Sequence, residues 1–230
     1  MQLITLSLGF ILLTIAIYFA MTVLYMKVHL PFLVPIITTT IVIILILVLF
    51  NIPYDTYMVG GQWIDKLLGP AVVSLAIPLY KQRELLKRHI YPIITGVLVG
   101  CLTGMISGVV LAKSAGFSKE LVLSILPKSI TTPIAMQIAT QIGGVPALSA
   151  VFVIIAGISG VLLSQYFLAF FKLDSTLGRG IGLGVATHAI GTSKAIEYGE
   201  QEASLSSVAM TLSAIFGSIF GPVIALIFYG

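Results

Sequence analysis

The stretch 125–144, ILPKSITTPIAMQIATQIGG, limits what this chain can fold into. It is apolar and long enough to lie in a bilayer. It nevertheless carries Lys128, two prolines (Pro127 and Pro133) and the hydroxyls of Ser129, Thr131 and Thr132. Hydrocarbon offers no hydrogen-bond partners, so a broken helix is admitted only where protein or a water-filled cavity covers it. The stretch is therefore expected to line a solute site inside a membrane protein. Composition agrees: 58% of the 230 residues are hydrophobic and 9% are charged, against about 25% charged in a soluble domain.

The fold class that follows is all-α and polytopic, with about seven or eight membrane-embedded segments. It is read as a single membrane domain over residues 1–230, with two similar halves containing broken or re-entrant helices. Residues 3–24 lack a basic start and are followed by more spans, so they read as a retained first helix rather than a cleaved signal. Lys27 and His29 follow, with a turn at Pro31 and Pro35 and a second span over 35–50. Residues 51–66 read as a polar loop whose Tyr54, Tyr57 and Trp63 suit the headgroup region. Residues 67–80 form a short span with Pro70 and Pro78, ending in Lys81, Arg83, Lys87 and Arg88. That cluster is placed in the cytoplasm, which puts the loop at Lys27 there too and the N-terminus outside.

Further spans follow at 91–112, 147–171 and 205–229, with a second polar-centred segment at 179–198. Gly96, Gly100, Gly104 and Gly108 recur every fourth residue, which lets another helix approach closely. They read as a packing seam; a surface for sliding is the sharper alternative. The net charge of +4 reads as loop anchoring, with no run that suggests nucleic acid. Cys101 has no cysteine partner and reads as helix packing.

The two polar-centred segments resemble each other at an offset of sixty. KSITTPIA (128–135) lies over HAIGTSKA (188–195), so Lys128 meets His188, Ile130 meets Ile190 and Thr132 meets Thr192. LSAV (148–151) lies over LSSV (205–208), and Gly160 over Gly217. The candidate repeats are 91–144 and 148–202. Corresponding broken segments in two halves point to a transporter's binding site. If each segment crosses the membrane the halves are parallel; if each is re-entrant they are inverted. The positive charges favour inverted halves, with the loop at 172–179 cytoplasmic and Lys113 and Lys119 outside.

The chemistry fits a carboxylate. Thr132 followed by Pro133 reads as an N-cap and first-turn proline, aiming free N–H groups at mid-membrane. Thr192 and Ser193 are expected to start the partner half-helix in the same way. Lys128 would add a full positive charge, and Ser129, Thr131, Thr132, Thr192 and Ser193 hydrogen bonds. His188 is a substrate contact and a candidate for proton coupling, since imidazole titrates near neutral pH. Lys194 and Glu197 either pair at i,i+3 or serve coupling or gating. Glu200 and Glu202 are expected to be solvated and Arg179 to anchor a helix end. No catalytic pair, metal cluster or cofactor motif is assembled, so an enzyme is not expected.

These residues carry a recognisable pattern. ILPKSITTPIAMQIATQIGG, GLGVATHAIGTSKAIEYGEQE and LGPAVVSLAIPLYKQ together resemble the LrgB/CidB family of bacterial inner-membrane proteins, especially its YohK-like branch, from about Phe32 onward. The resemblance implies two functions. One is a holin/antiholin-like system that modulates murein hydrolase activity and lysis. The other is transport of small carboxylates: pyruvate in bacteria, and glycolate and glycerate in the related plastid transporter. It implies a separate LrgA/CidA-like membrane partner, and a homo-oligomer is compatible with it. Many relatives have Gln-Ala where this chain has Lys128-Ser129, so Lys128 suits one branch.

Overall fold

The computed structural model describes residues 2–28, 33 and 35–230. The turn expected around His29 and Pro31 lies outside the described residues. Every element described is an α-helix, as the fold class required. Among the described residues, four helices are long and apolar enough to cross a membrane: Leu3–Val28, Ile90–Ser114, Pro146–Phe170 and Glu200–Tyr229. The chain divides into two compact units, Met1–Ala71 and Val72–Gly230.

The first unit holds α1 (Gln2–Val28), α2 (Pro35–Leu49) and α3 (Tyr54–Lys66). The expected loop at 51–66 is mostly this third helix, amphipathic along its length. Its apolar face packs on α1 at Gly60, where an added Cβ would lie 2.8 Å from Phe10 Cβ. Tyr57 sets its ring edge-on to Phe10 at 5.6 Å and its hydroxyl 3.1 Å from Thr14 Oγ1. Tyr57 is thus a packing residue. Trp63 stays exposed, with the Lys66 ammonium over its ring.

Three short helices, α4 (Leu68–Ser74), within which the first unit ends and the second begins, α5 (Ala76–Lys81) and α6 (Arg83–Arg88), stand in place of the short span expected at 67–80. A proline removes a helix donor, and the helix breaks at Leu75, three residues before Pro78. Then come α7 (Ile90–Ser114), α8 (Lys119–Ile125), α9 (Thr132–Ile142), α10 (Pro146–Phe170), α11 (Thr176–Ala195) and α12 (Glu200–Tyr229). The last span, expected from residue 205, starts at Glu200, so Glu200 and Glu202 lie in its first turn.

Helix α12 runs through the middle of this unit, and depth can be read along it. Lys119 lies over the Tyr229 ring, Leu126 and Ile138 both lie against Gly221, and Ile130 lies against Gly217. The segment α8–α9 therefore enters from the C-terminal end of α12, turns near Ile130 and returns. We call it hairpin 1. Arg179 bonds Glu202 at the opposite end of α12, and Gly184 and Thr192 both meet Ser206. Residues eight apart on a straight helix stand about 12 Å apart, so α11 also doubles back. Its reversal is at His188, which has φ 46° and ψ −129°. This is hairpin 2, entering from the other end. Both polar-centred segments are re-entrant, and they point in opposite directions.

Candidate functional site

The tip of hairpin 1 follows from its prolines. Pro127 has no N–H to continue α8, so the chain passes through turns closed by Lys128 N–H on Ile125 O and Ile130 N–H on Pro127 O, each 3.0 Å. The chain resumes as α9, with Pro133 in its first turn. The N-cap is Thr131, one residue earlier than expected, and its hydroxyl makes no cap bond. Gly143 ends α9 in the left-handed conformation at φ 86°. Gly144 and Val145 then pass beside Ser124, whose Oγ accepts the Val145 N–H at 2.7 Å.

Lys128 lies on this tip. Its Nζ donates to Gly104 O at 3.1 Å and to Ser129 Oγ at 3.2 Å. Gly104 is ten residues from the end of α7 and fourteen from its start, or about 15 and 21 Å at the helical rise. The ammonium is therefore deep. Among the described residues no carboxylate lies within ion-pair distance of it; the ion pairs are Arg83–Glu84, Lys87–Glu84, Arg179–Glu202 and Lys194–Glu197. An ammonium placed at depth without a counter-ion costs several kcal/mol.

A cleft of about 1020 Å³ leads to it. Lys128, Ser129, Thr103 and Gly104 line its inner end, and Phe171 and Leu173 its outer end, where α10 finishes. Its walls are α7, α10 and the first arm of hairpin 2, and they are mostly apolar. The glycine seam of α7 is what admits the hairpins: Gly96 and Gly100 lie under Ile181 and Val185, Gly104 and Gly108 under Ser129 and Lys128. Thr103 is exposed in the cleft, and its hydroxyl has no hydrogen-bond partner among the described residues. Sequence reasoning passed over it as one polar residue in a glycine-rich span; only its neighbour Gly104, four residues from Gly100 and Gly108, signalled its face.

The other expected site residues are arranged differently. His188 is 3% exposed and is not among the cleft-lining residues. Its Nε2 lies 3.1 Å from Lys128 O, so the two positions matched at an offset of sixty meet across the hairpin tips. Thr192 and Ser193 do not start a half-helix; they lie inside the second arm. Thr192 Oγ1 donates to His188 O and meets Ser206 Oγ, both at 3.0 Å, while Ser193 donates to Ala189 O. These bonds satisfy the hydroxyls locally. Thr131, Thr132 and Pro133 are half-buried and likewise not among the cleft-lining residues. Lys194 and Glu197 form an i,i+3 ion pair. Glu202 is buried on Arg179 at 3.1 Å rather than solvated.

The contacts are reciprocal. Ile130 of hairpin 1 packs on Gly217 of α12, and Ile190 of hairpin 2 packs on Gly157 of α10. Each partner in the second pair differs from its counterpart by sixty residues. This pairs Gly157, rather than Gly160, with Gly217. Gly160 instead receives Thr187.

The fold and site describe an all-α, multi-pass membrane protein with two opposed re-entrant hairpins. The LrgB-like family model matches residues 14–227, and the chain belongs to that family. It is 56% identical to the Bacillus subtilis protein YxaC over 219 residues, 95% of each chain. It is 36% identical to the Staphylococcus aureus protein named Holin-like protein CidB, over 95% of this chain and 96% of that one. A second Bacillus subtilis relative, YwbG, is 38% identical over 88% of this chain and 90% of its own length. No solved structure matches.

Proposed function

We propose that this protein carries small monocarboxylates, of the pyruvate or glycolate kind, across the bacterial cell membrane by alternating access. The observation that carries the reading is the deep Lys128 ammonium, without a carboxylate partner, at the inner end of a cleft. A carboxylate there would take the remaining Nζ proton and the Ser129 O–H, both charge-assisted bonds. Mostly apolar walls suit a small acid with a short carbon chain. Opposed re-entrant hairpins meeting at mid-membrane are the arrangement secondary carriers use.

The cleft leads to the end of the unit that holds Lys81, Arg83, Lys87, Arg88 and Lys172, whereas Lys113 and Lys119 lie at the other end. The excess of basic residues assigns the first end to the cytoplasm. At the opposite end, Leu126, Ile130 and Ile138 close the path against Gly217 and Gly221. The described state is therefore open inward. His188 is a candidate for coupling to protons, and a small LrgA/CidA-like membrane protein is the candidate partner.

The test is uptake of labelled pyruvate, glycolate and lactate into proteoliposomes, with and without an LrgA/CidA-like small membrane protein. Saturable uptake of at least one acid is expected, and its absence in both conditions would sink the reading. A second reading is favoured by the name of the staphylococcal relatives, Holin-like protein: regulation of murein hydrolase activity and lysis through partner binding. That reading predicts lysis effects that survive Lys128→Met, because it needs no polar site at mid-membrane.

A further inference from the structure

We propose that His188 is a positioning residue that latches the two hairpin tips together and so holds Lys128 in place for its anion. This rests on the carboxylate reading above but can be tested apart from it. Three observations converge. His188 occupies a backbone conformation, φ 46° and ψ −129°, that suits glycine and strains a residue with a Cβ. A chain reversing here for packing alone would be better served by glycine, which this sequence uses freely at Gly182, Gly184 and Gly191. The strain is therefore kept for the side chain.

Among the described residues the side chain has one hydrogen-bonding contact, Nε2 to Lys128 O at 3.1 Å. A carbonyl only accepts, so Nε2 carries the proton and donates. That bond ties the turn of hairpin 2 to the residue whose ammonium faces the cleft from hairpin 1. It is the polar link between the two tips, and it fixes the backbone from which the Lys128 side chain springs. The ring is seated on Gly157, where an added Cβ would stand 3.1 Å from Cε1 and 3.4 Å from Nδ1. At 3% exposure the ring cannot reach a solute in the cleft. Its influence on an anion passes through Lys128.

The experiment compares His188→Gly and His188→Gln in the full chain reconstituted in nanodiscs and proteoliposomes. Glycine relieves the backbone strain and removes the donor; glutamine keeps the strain and places an amide N–H near the position of Nε2. Three quantities are read: the thermal unfolding midpoint, the KM and maximal rate for pyruvate uptake, and amide hydrogen exchange at 126–131 without added solute. For His188→Gly we expect an unfolding midpoint at or above wild type, a KM raised about tenfold, and faster exchange at the hairpin 1 tip. His188→Gln is expected to restore most of the KM and the exchange protection.

Wild-type KM and exchange in His188→Gly would overturn the latch. So would a lowered midpoint with His188→Gln no better than His188→Gly, since that is the behaviour of a merely structural residue. If the wild-type protein moves no carboxylate, the exchange comparison still decides the latch, and the transport reading fails alone.

Discussion

Hairpin 1 and hairpin 2 share a plan: a helical arm, a reversal near mid-membrane and a returning arm. Their polar groups are used differently. In hairpin 2, Thr187, Thr192 and Ser193 donate to carbonyls four residues back, and Thr192 also meets Ser206. Its reversal is sealed among Gly157, Gly160 and the other tip. In hairpin 1 the prolines leave a looser run of turns, and Lys128 and Ser129 face a cleft. The difference teaches that a doubled architecture need not make a doubled site. On the proposed reading, one hairpin presents chemistry and the other braces it.

The comparison can be broken first at its anchors. Lys128→Met removes the cation of the presenting hairpin. A hydrogen bond to a charged group contributes about 1.5–3 kcal/mol, so substrate affinity should fall roughly 10- to 100-fold while membrane abundance holds. Radiolabel uptake with immunoblotting of the membrane fraction checks this, and unchanged affinity would remove Lys128 from the site. Arg179→Met, on the bracing hairpin, should act on stability instead. It leaves Glu202 buried without its partner. The full cost of such a break is about 3–5 kcal/mol, and partial exposure of Arg179 lowers it to about 2–3 kcal/mol. A thermal-shift assay in detergent reads it, and Arg179→Met/Glu202→Gln should recover part of the loss.

The reciprocal glycines come next. Gly217→Ala and Gly157→Ala each drive a methyl into an isoleucine of the opposite hairpin, Ile130 and Ile190 respectively. Overpacking of this kind costs about 1–3 kcal/mol. The larger loss is expected at Gly217, where the added Cβ would stand 2.1 Å from Ile130 Cδ1 against 2.8 Å from Ile190 Cδ1 at Gly157; a loss at only one position would show that the two hairpins are not braced alike. Thr103→Val should weaken affinity for 2-oxo and 2-hydroxy acids about fivefold, the worth of one neutral hydrogen bond of about 1 kcal/mol. Competition with unlabelled propionate distinguishes lost recognition of the substituent from general damage. The smallest effect is expected at Ser193→Ala, within about 0.5 kcal/mol of wild type, since this exposed hydroxyl bonds only its own helix. A large effect there would mean that hairpin 2 also presents chemistry.

The helical class, the long spans and the broken character of 125–144 were legible in the sequence because they depend on hydropathy and on proline, which act locally. The match of Lys128 with His188 was legible too, as a pattern without a geometry. Which hydroxyls face solute was not. Thr192 and Ser193 look like donors in the sequence, but on a helix they fold back to carbonyls four residues away. Thr132 looks like the cap, yet the turn geometry gives that place to Thr131. Glu202 looks solvated in a run of polar residues, and only the close approach of α11 to α12 brings Arg179 to it.

By itself, the sequence determined that this protein lies in a membrane, belongs among LrgB-like proteins and carries an ionisable residue within a broken segment. Burial cost and the missing proline donors decide the first and last of these from composition and order alone, and the family follows from the match of residues 14–227 to the LrgB-like family model. Tertiary structure alone decided that both segments double back, that they enter from opposite ends, and that His188 turns inward while Lys128 faces a cleft. Those outcomes depend on contacts between residues from 14 positions apart (Thr192 and Ser206) to 87 (Ile130 and Gly217), and no local propensity encodes which face of a hairpin another helix will cover.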